Sequence, residues 1–278
     1  MYIGRFAPSP TGKLHLGSLF AAVASWLDAR AAGGQWLIRI EDLDPPREEL
    51  GASQHIIDTL AAYGLVSDQP IIFQSQRHEA YETALSTLQT TGQLFWCRCS
   101  RKQLAGLPSY PGTCFAYQST RPDAAAKFRV DNSLSFNDRL QGPQDYPPCE
   151  PFVVRRRDKL WAYQLAVVVD DAFSGVTDVV RGIDLIDSTP MQIALQQALG
   201  LPTPTYAHLP VIVNPDGSKL SKQNLAQPIS VNNKEEVLQN VLARLAIDVA
   251  QGPVEQMLKQ AVLLWQPQRL RATTTQAL

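Results

Sequence analysis

An α/β fold with a parallel sheet, interrupted by a small insertion and followed by helices, is predicted for this chain of 278 residues. Three features of the sequence predict it. A strand, loop, helix and second strand fill residues 2–42. A stretch rich in cysteine and proline over residues 95–151 lacks the long apolar periods around it. After residue 229 the apolar spacing is helical.

The first strand covers residues 2–6 and stops at Ala7-Pro8-Ser9-Pro10-Thr11-Gly12, where two prolines and a glycine cannot continue a central strand. From His15 the apolar residues Leu16, Leu19, Phe20, Val23, Ala24 and Leu27 follow helical spacing to about Arg30. Gly33-Gly34 breaks that helix, and residues 36–40 form a second strand ending at Glu41-Asp42. A βαβ unit of this kind takes a right-handed parallel crossover by default. Further helices are expected over residues 53–63 and 78–90. The βα pattern resumes with residues 152–154, 165–169 and 176–180 and a helix over 190–199. Asn233-Lys234-Glu235-Glu236 resembles a capping box opening a helix that buries Val237, Leu238, Val241, Leu242 and Leu245. A second helix runs from Pro253 past Leu258 and Val262 to Trp265, and residues 269–278 are expected to fray.

Apolar residues make up 45% of the chain and charged residues 18%, a globular composition. The first residues carry no basic leader before an apolar run, and the run at 165–169 is far too short to cross a bilayer. A cytoplasmic protein with no membrane partner is expected. The formal net charge of −1 neither advertises nor excludes a nucleic-acid partner. An RNA site would have to come from local clusters, Arg155-Arg156-Arg157 or Arg98, Arg101 and Lys102, each of which also reads as a solvated rim. Cys97, Cys99 and Cys114 crowd one short stretch, which in a cytoplasmic protein points to metal before disulfide; Cys149 is expected to pack.

Two stretches carry chemistry. The first runs from Arg5 through the Pro8-Ser9-Pro10 loop to His15, Gly17 and Ser18. A loop beyond the carboxyl end of a strand, followed by a helix whose first N–H groups face the crevice, suits a triphosphate. Gly17 lets a ligand approach the helix backbone, and His15 brings an imidazole to phosphate or ribose; by itself His15 reads equally as a helix-start residue. The second is Asp216-Gly217-Ser218-Lys219-Leu220-Ser221-Lys222-Gln223. Lysines on such a loop can neutralise charge that develops on a triphosphate in the transition state.

Together the two stretches resemble the HIGH and KMSKS signatures of class I aminoacyl-tRNA synthetases. Residues 2–223 are similar to the catalytic region of glutamyl-tRNA synthetases, supported by Leu37-Ile38-Arg39-Ile40-Glu41-Asp42, by Ala162-Tyr163-Gln164 leading to Asp170-Asp171, and by Val180-Arg181-Gly182. Ser18 and Gln223 depart from the signatures where glutamate-type members commonly differ. The resemblance implies a Rossmann-type doubly wound parallel sheet. It also implies a glutamate site at Arg5, Phe6, Ala7, Pro8, Ser9, Glu41, Tyr163 and Arg181, with guanidinium groups for the carboxylate and Glu41 for the α-ammonium. ATP, with Mg²⁺ carried on its phosphates, would be held by His15, Gly17, Lys219, Ser221 and Lys222, with His15 and Lys222 catalytic.

The chain continues only briefly past the second signature, whereas glutamyl-tRNA synthetases continue into a large anticodon-binding body. A short C-terminal helical remnant with no anticodon-binding domain is therefore expected. That pattern, with Gln74-Ser75-Gln76-Arg77, Trp161-Ala162-Tyr163 and Cys97-Arg98-Cys99, resembles the glutamyl-queuosine tRNA(Asp) synthetase family. The resemblance implies tRNA-independent activation of glutamate and its transfer to the queuosine base at the wobble position of tRNA(Asp). It further implies one structural Zn²⁺ on Cys97, Cys99, Tyr110 and Cys114, and a monomer. The division expected is residues 1–94 and 152–225 for the catalytic domain, 95–151 for the zinc-containing insertion and 226–278 for the helical end. A compact synthetase charging a tRNA 3′ end and a catalytically inactive RNA-binding paralogue stand as alternatives. The retained Arg5, Glu41, His15, Arg181 and Lys222 count against the second.

Overall fold

The computed structural model describes residues 1–213 and 227–277. Strand β1 (Ile3–Phe6), helix α1 (Leu16–Ala31) and strand β2 (Gln35–Ile40) form the βαβ unit, with β1 and β2 parallel from Ile3 opposite Gln35 to Phe6 opposite Ile38. The turn between α1 and β2 needs Gly34, because a Cβ there would sit 2.3 Å from the Tyr2 carbonyl oxygen. Helix α2 (Ala52–Ala62) leads to β3 (Ile72–Phe73), which pairs parallel with the end of β2.

Helix α3 (His78–Thr90) then leads out of the parallel sheet. Strand β4 (Leu94–Cys97), helix α4 (Arg101–Leu104) and strand β5 (Ala125–Phe128) follow. After them come a hairpin of β6 (Leu134–Asp138) and β7 (Gly142–Tyr146), and strand β8 (Phe152–Arg155). The strands β4, β5 and β8 make an antiparallel sheet in that order. Residues 152–154, expected to resume the parallel pattern, therefore close this antiparallel sheet. An apolar triplet carries no information about its pairing partner.

The parallel fold returns with helix α5 (Tyr163–Phe173), β9 (Asp178–Gly182), α6 (Thr189–Leu199) and β10 (Thr205–Leu209), and β10 runs parallel to β9. The apolar run at 165–169 is helical, not extended. It is the buried middle of α5, and a helix covered on most sides shows no period that separates it from a strand. The Thr177 N–H donates to the Ile3 carbonyl at 2.9 Å, so the two parallel pieces abut where β1 and β9 begin. Strand order thus runs outward in two directions from the β1–β9 seam. A crevice at the carboxyl ends of such strands is where ligands bind in open α/β sheets.

Beyond β11 (Val211–Val213) and the undescribed residues 214–226, helices α7 (Lys234–Arg244) and α8 (Val254–Leu264) pack back on α1. Asn233 precedes α7 without a reciprocal capping box; its side-chain amide donates to Glu236 instead. Leu238, Val241, Leu242, Met257 and Leu258 share one continuous core with Leu19, Phe20 and Leu27 of α1. The second core lies under α3, α5, α6 and the antiparallel sheet. The chain end is not wholly helical: strand β12 (Thr275–Ala277) adds parallel to β11. Three residues are too few for a periodic signal, so only the open edge of β11 selects them. No helix among the described residues is long and apolar enough to cross a membrane.

One buried carboxylate on α1 joins three remote parts of the chain. Asp28 accepts hydrogen bonds from the Tyr2 hydroxyl, both terminal nitrogens of Arg139 beside the hairpin (2.6 and 3.0 Å) and Trp265 Nε1 (2.9 Å). Removing such an acceptor leaves buried donors unpaired. We expect Asp28→Ala to lower the free energy of unfolding by roughly 3 kcal/mol. Urea denaturation showing a loss under about 1 kcal/mol would mean that these contacts do not tie the C-terminal region to α1.

Candidate active site

A cavity of about 370 Å³ opens at the carboxyl ends of β1 and β9. Arg5, Phe6, Ala7, Pro8, Ser9, His15, Gly17, Glu41, Tyr163 and Arg181 all line it, which covers every described residue that the sequence assigns to glutamate or ATP. Lys219, Ser221 and Lys222 lie outside the described residues. The described residues on either side of them reach the same place. Val211 and Ile212 line the cavity, Pro228 bridges to His15, and the Ile229 N–H donates to the Leu14 carbonyl.

His15 is the N-cap of α1, its Nδ1 accepting from the Ser18 N–H at 3.3 Å. The cavity wall includes Gly17 and Ser18 of the first helical turn, so the positive end of the α1 dipole faces it. His15 thus starts the helix and lines the cavity at once.

Arg5 is buried and meets Asp171 of α5 through two nitrogens, at 3.2 and 3.3 Å. Asp171 also accepts from Arg39 at 2.5 Å, and Arg39 in turn donates to Glu41 at 3.0 Å. Four charges therefore alternate in a buried row, with Arg5 and Glu41 also reaching the cavity wall. Burial would push Asp171 up, but Arg39 and Arg5 hold its carboxyl below the ordinary range. For Glu41 burial wins: its carboxyl sits above the ordinary range despite Arg39. The neighbouring Asp170 accepts from Gln74, Arg77 and Tyr81, fixing α5 against α3.

Arg181, only 4% exposed, is held differently. Its nitrogens donate to His208 Nε2 (3.1 Å), Gln192 Oε1 (2.8 Å), Thr189 Oγ1 (2.7 Å) and the Leu185 carbonyl (3.2 Å). No carboxylate lies within 4.0 Å of it among the described residues. The remaining N–H reaches the Tyr163 hydroxyl only at 3.5 Å, a long contact that a ligand anion would displace. Arg181 is thus a buried, oriented cation at the cavity wall with neutral hydrogen-bond partners among the described residues.

Sequence reasoning missed the groups behind the cavity wall: Asp171, Arg39, His208, Asp138, Gln192 and Thr189. One signal was available. Arg39 stands inside a largely apolar strand, and a buried guanidinium demands buried hydrogen-bond acceptors, of which a carboxylate is one.

Away from the cavity, the sulfurs of Cys97, Cys99 and Cys114 lie within 4.8 Å of one another. Cys99 and Cys114 are 3.8 Å apart, and the Tyr110 hydroxyl donates to Cys97 at 3.3 Å. Two sulfurs each about 2.3 Å from a tetrahedral zinc are themselves ~3.8 Å apart, so the spacing fits that ion. Burial pushes the Cys114 thiol up, but hydrogen bonds from Tyr110, the Arg98 backbone and Cys99 bring it to about 7. The ring of Phe95 packs on Tyr110 and Phe115, giving the cluster a small aromatic core of its own.

The family described as tRNA synthetases class I (E and Q), catalytic domain, matches residues 3–110 and 116–254. The chain is 50% identical over 276 residues to the glutamyl-Q tRNA(Asp) synthetase of Xanthomonas campestris pv. campestris (strain 8004), covering 97% of this chain and 93% of that one. It is 48% identical to the enzyme of the same name from Pseudomonas putida (strain GB-1), over 99% of this chain and 96% of that one. Among solved structures, a glutamate-tRNA synthetase from Elizabethkingia anophelis superposes with a TM-score of 0.83 at 21% identity, covering 99% of this chain and 68% of that one. A glutamate tRNA ligase from Elizabethkingia meningosepticum, solved with its amino acid, gives 0.82 at 22%, covering 99% and 66%. These two likenesses establish the α/β fold of the catalytic domain. The chain belongs to the glutamyl-Q tRNA(Asp) synthetase family, within the class I tRNA synthetases of the E and Q type.

Proposed function

We propose that this chain activates glutamate with ATP, without tRNA, and transfers the glutamyl group to the queuosine base at the wobble position of tRNA(Asp). The observation that carries the reading is the convergence of ten sequence-assigned residues on one cavity at the β1–β9 seam, in a chain 50% identical to relatives of that name.

In this reading Arg181, with Tyr163, takes the side-chain carboxylate of glutamate, and Arg5 on the neighbouring strand assists. Glu41 takes the α-ammonium, and the backbone from Phe6 to Ser9 shapes the pocket. ATP, with Mg²⁺ carried on its phosphates, rests against His15, Gly17 and the amino end of α1, and the sequence assigns Lys219, Ser221 and Lys222 to the same triphosphate. One oxygen of the α-carboxylate attacks the α-phosphorus, the bond to the bridging oxygen breaks, and pyrophosphate leaves. His15 and Lys222 stabilise the charge of the pentacoordinate phosphorus, so catalysis is positioning and electrostatics with no protein nucleophile. Queuosine then attacks the acyl carbon, loses a proton and displaces AMP.

The same reading assigns one structural Zn²⁺ to Cys97, Cys99, Cys114 and Tyr110, where it stiffens an insertion over residues 95–151 whose own core is small. It divides the catalytic domain into residues 1–94 and 152–225, with 226–278 as a C-terminal region. It takes the chain as a cytoplasmic monomer.

Transfer of labelled glutamate is the direct test, using queuosine-containing tRNA(Asp), the same tRNA without queuosine, and tRNA(Glu). Label is expected on the first alone. Label on the 3′ end of tRNA(Glu) would instead make this a compact charging enzyme. A second expectation follows from Glu41, which must be ionised to hold an ammonium group. Its raised carboxyl means that, as pH falls, KM for glutamate should begin to climb before the ~4.3 of a free glutamate side chain is reached. Glu41→Gln should raise KM and flatten that profile; a wild-type profile already flat would remove Glu41 from the ammonium site. For the metal, plasma emission analysis should find one zinc per chain, falling sharply in Cys99→Ser. A zinc-free, fully active preparation would refute the structural ion.

A further inference from the structure

Arg181 owes its orientation to a relay that begins in the β6–β7 hairpin. Asp138, at the end of β6, is 1% exposed, and His208, on β10, is 0% exposed. One carboxylate oxygen of Asp138, Oδ1, accepts the backbone N–H groups of Leu140 (2.9 Å), Gln141 (2.9 Å) and His208 (3.2 Å). The other, Oδ2, lies 2.6 Å from His208 Nδ1. On its far side the same imidazole presents Nε2 to Arg181 Nε at 3.1 Å and to Thr189 Oγ1 at 3.2 Å. A guanidinium nitrogen can only donate, so Nε2 is the acceptor and the ring proton sits on Nδ1, pointing at Asp138. Burial and the nearby Arg181 keep the imidazole neutral against the pull of Asp138.

This arrangement has a consequence that a direct Asp–Arg pair would lack. The carboxylate selects the tautomer and the imidazole passes on the hydrogen bond, yet among the described residues no negative charge touches Arg181. Arg5, by contrast, meets Asp171 directly. We propose that Asp138 and His208 are positioning residues that fix Arg181 for the carboxylate of the amino-acid substrate while leaving its charge unpaired. The inference rests on the reading of Arg181 as a glutamate contact.

The chemistry dictates which variants discriminate. In Asp138→Asn the amide oxygen must stay on the three backbone N–H groups, so the NH₂ faces His208 Nδ1. The imidazole then moves its proton to Nε2 and turns a donor toward the Arg181 donor. His208→Asn keeps a partner for Asp138 but falls short of Arg181, whereas His208→Gln reaches Arg181 with its amide oxygen. ATP–pyrophosphate exchange on the full chain separates KM for glutamate, KM for ATP and kcat. D138N and H208N are expected to raise KM for glutamate roughly tenfold or more, with KM for ATP within about twofold, and H208Q to recover most of that loss. Equal rises in both KM values, or a glutamate KM unmoved in both variants, would overturn the inference. Should D138N fail to fold, the comparison of H208N with H208Q decides between the same two outcomes. If the unmodified chain shows no glutamate-dependent exchange, the glutamate reading itself falls and this inference with it; normal exchange with indifferent variants removes the inference alone.

Discussion

The row Arg5, Asp171, Arg39, Glu41 is the constraint on which the cavity depends. It joins β1, α5 and β2 by charge-assisted hydrogen bonds in a place that water barely reaches. Desolvating four ions costs several kcal/mol each unless every partner is in place. That cost makes the arrangement all-or-none: either the three elements meet in this geometry or buried charges stand unpaired. Asp170, one residue away, extends the same logic to α3 through Gln74, Arg77 and Tyr81. The adjacent aspartates thus carry two separate loads, one toward the cavity and one toward the second core.

The two arginines of the cavity have been given opposite electrostatic states by their surroundings. Arg5 is neutralised by a bidentate carboxylate. Arg181 is embedded among neutral acceptors and keeps a full positive charge in a region of low dielectric. A site built in this way is organised before the ligand arrives, so little reorganisation is required when an anion binds. The carboxyl of Glu41 is held up by burial beside the same cavity, an effect that a neighbouring cation would offset by its charge.

Remote parts of the chain hold this centre in place. The β6–β7 hairpin supplies Asp138 behind Arg181, and Arg139 next to it reaches Asp28 on α1. Asp28 is also where Trp265 docks, so the C-terminal helices, the hairpin and the first helix meet at one carboxylate. The helices α7 and α8 complete the core of the first βαβ unit and are not an appendage to it. The cysteine cluster at the edge of the antiparallel sheet stands apart from that core, with Phe95, Tyr110 and Phe115 packed round the sulfurs.

The amino-acid sequence by itself determined the βαβ start and the helices α1, α2, α3, α6, α7 and α8, and its family resemblance picked out ten of the described residues that line the cavity. Each of these is written locally, as apolar period, turn residues, or a motif that binds through its own loop and helix end. It misread residues 152–154 and 165–169 as strands of the resumed parallel pattern and 275–277 as a frayed end, and it left open the wall behind the cavity. Those features depend on partners far away in the chain. Arg5 finds Asp171, Asp138 finds His208, and Asp28 finds Trp265 only when the elements have packed. The tertiary structure therefore decided which charges are neutralised and which remain, because hydrogen bonding and desolvation act between groups that the sequence keeps far apart.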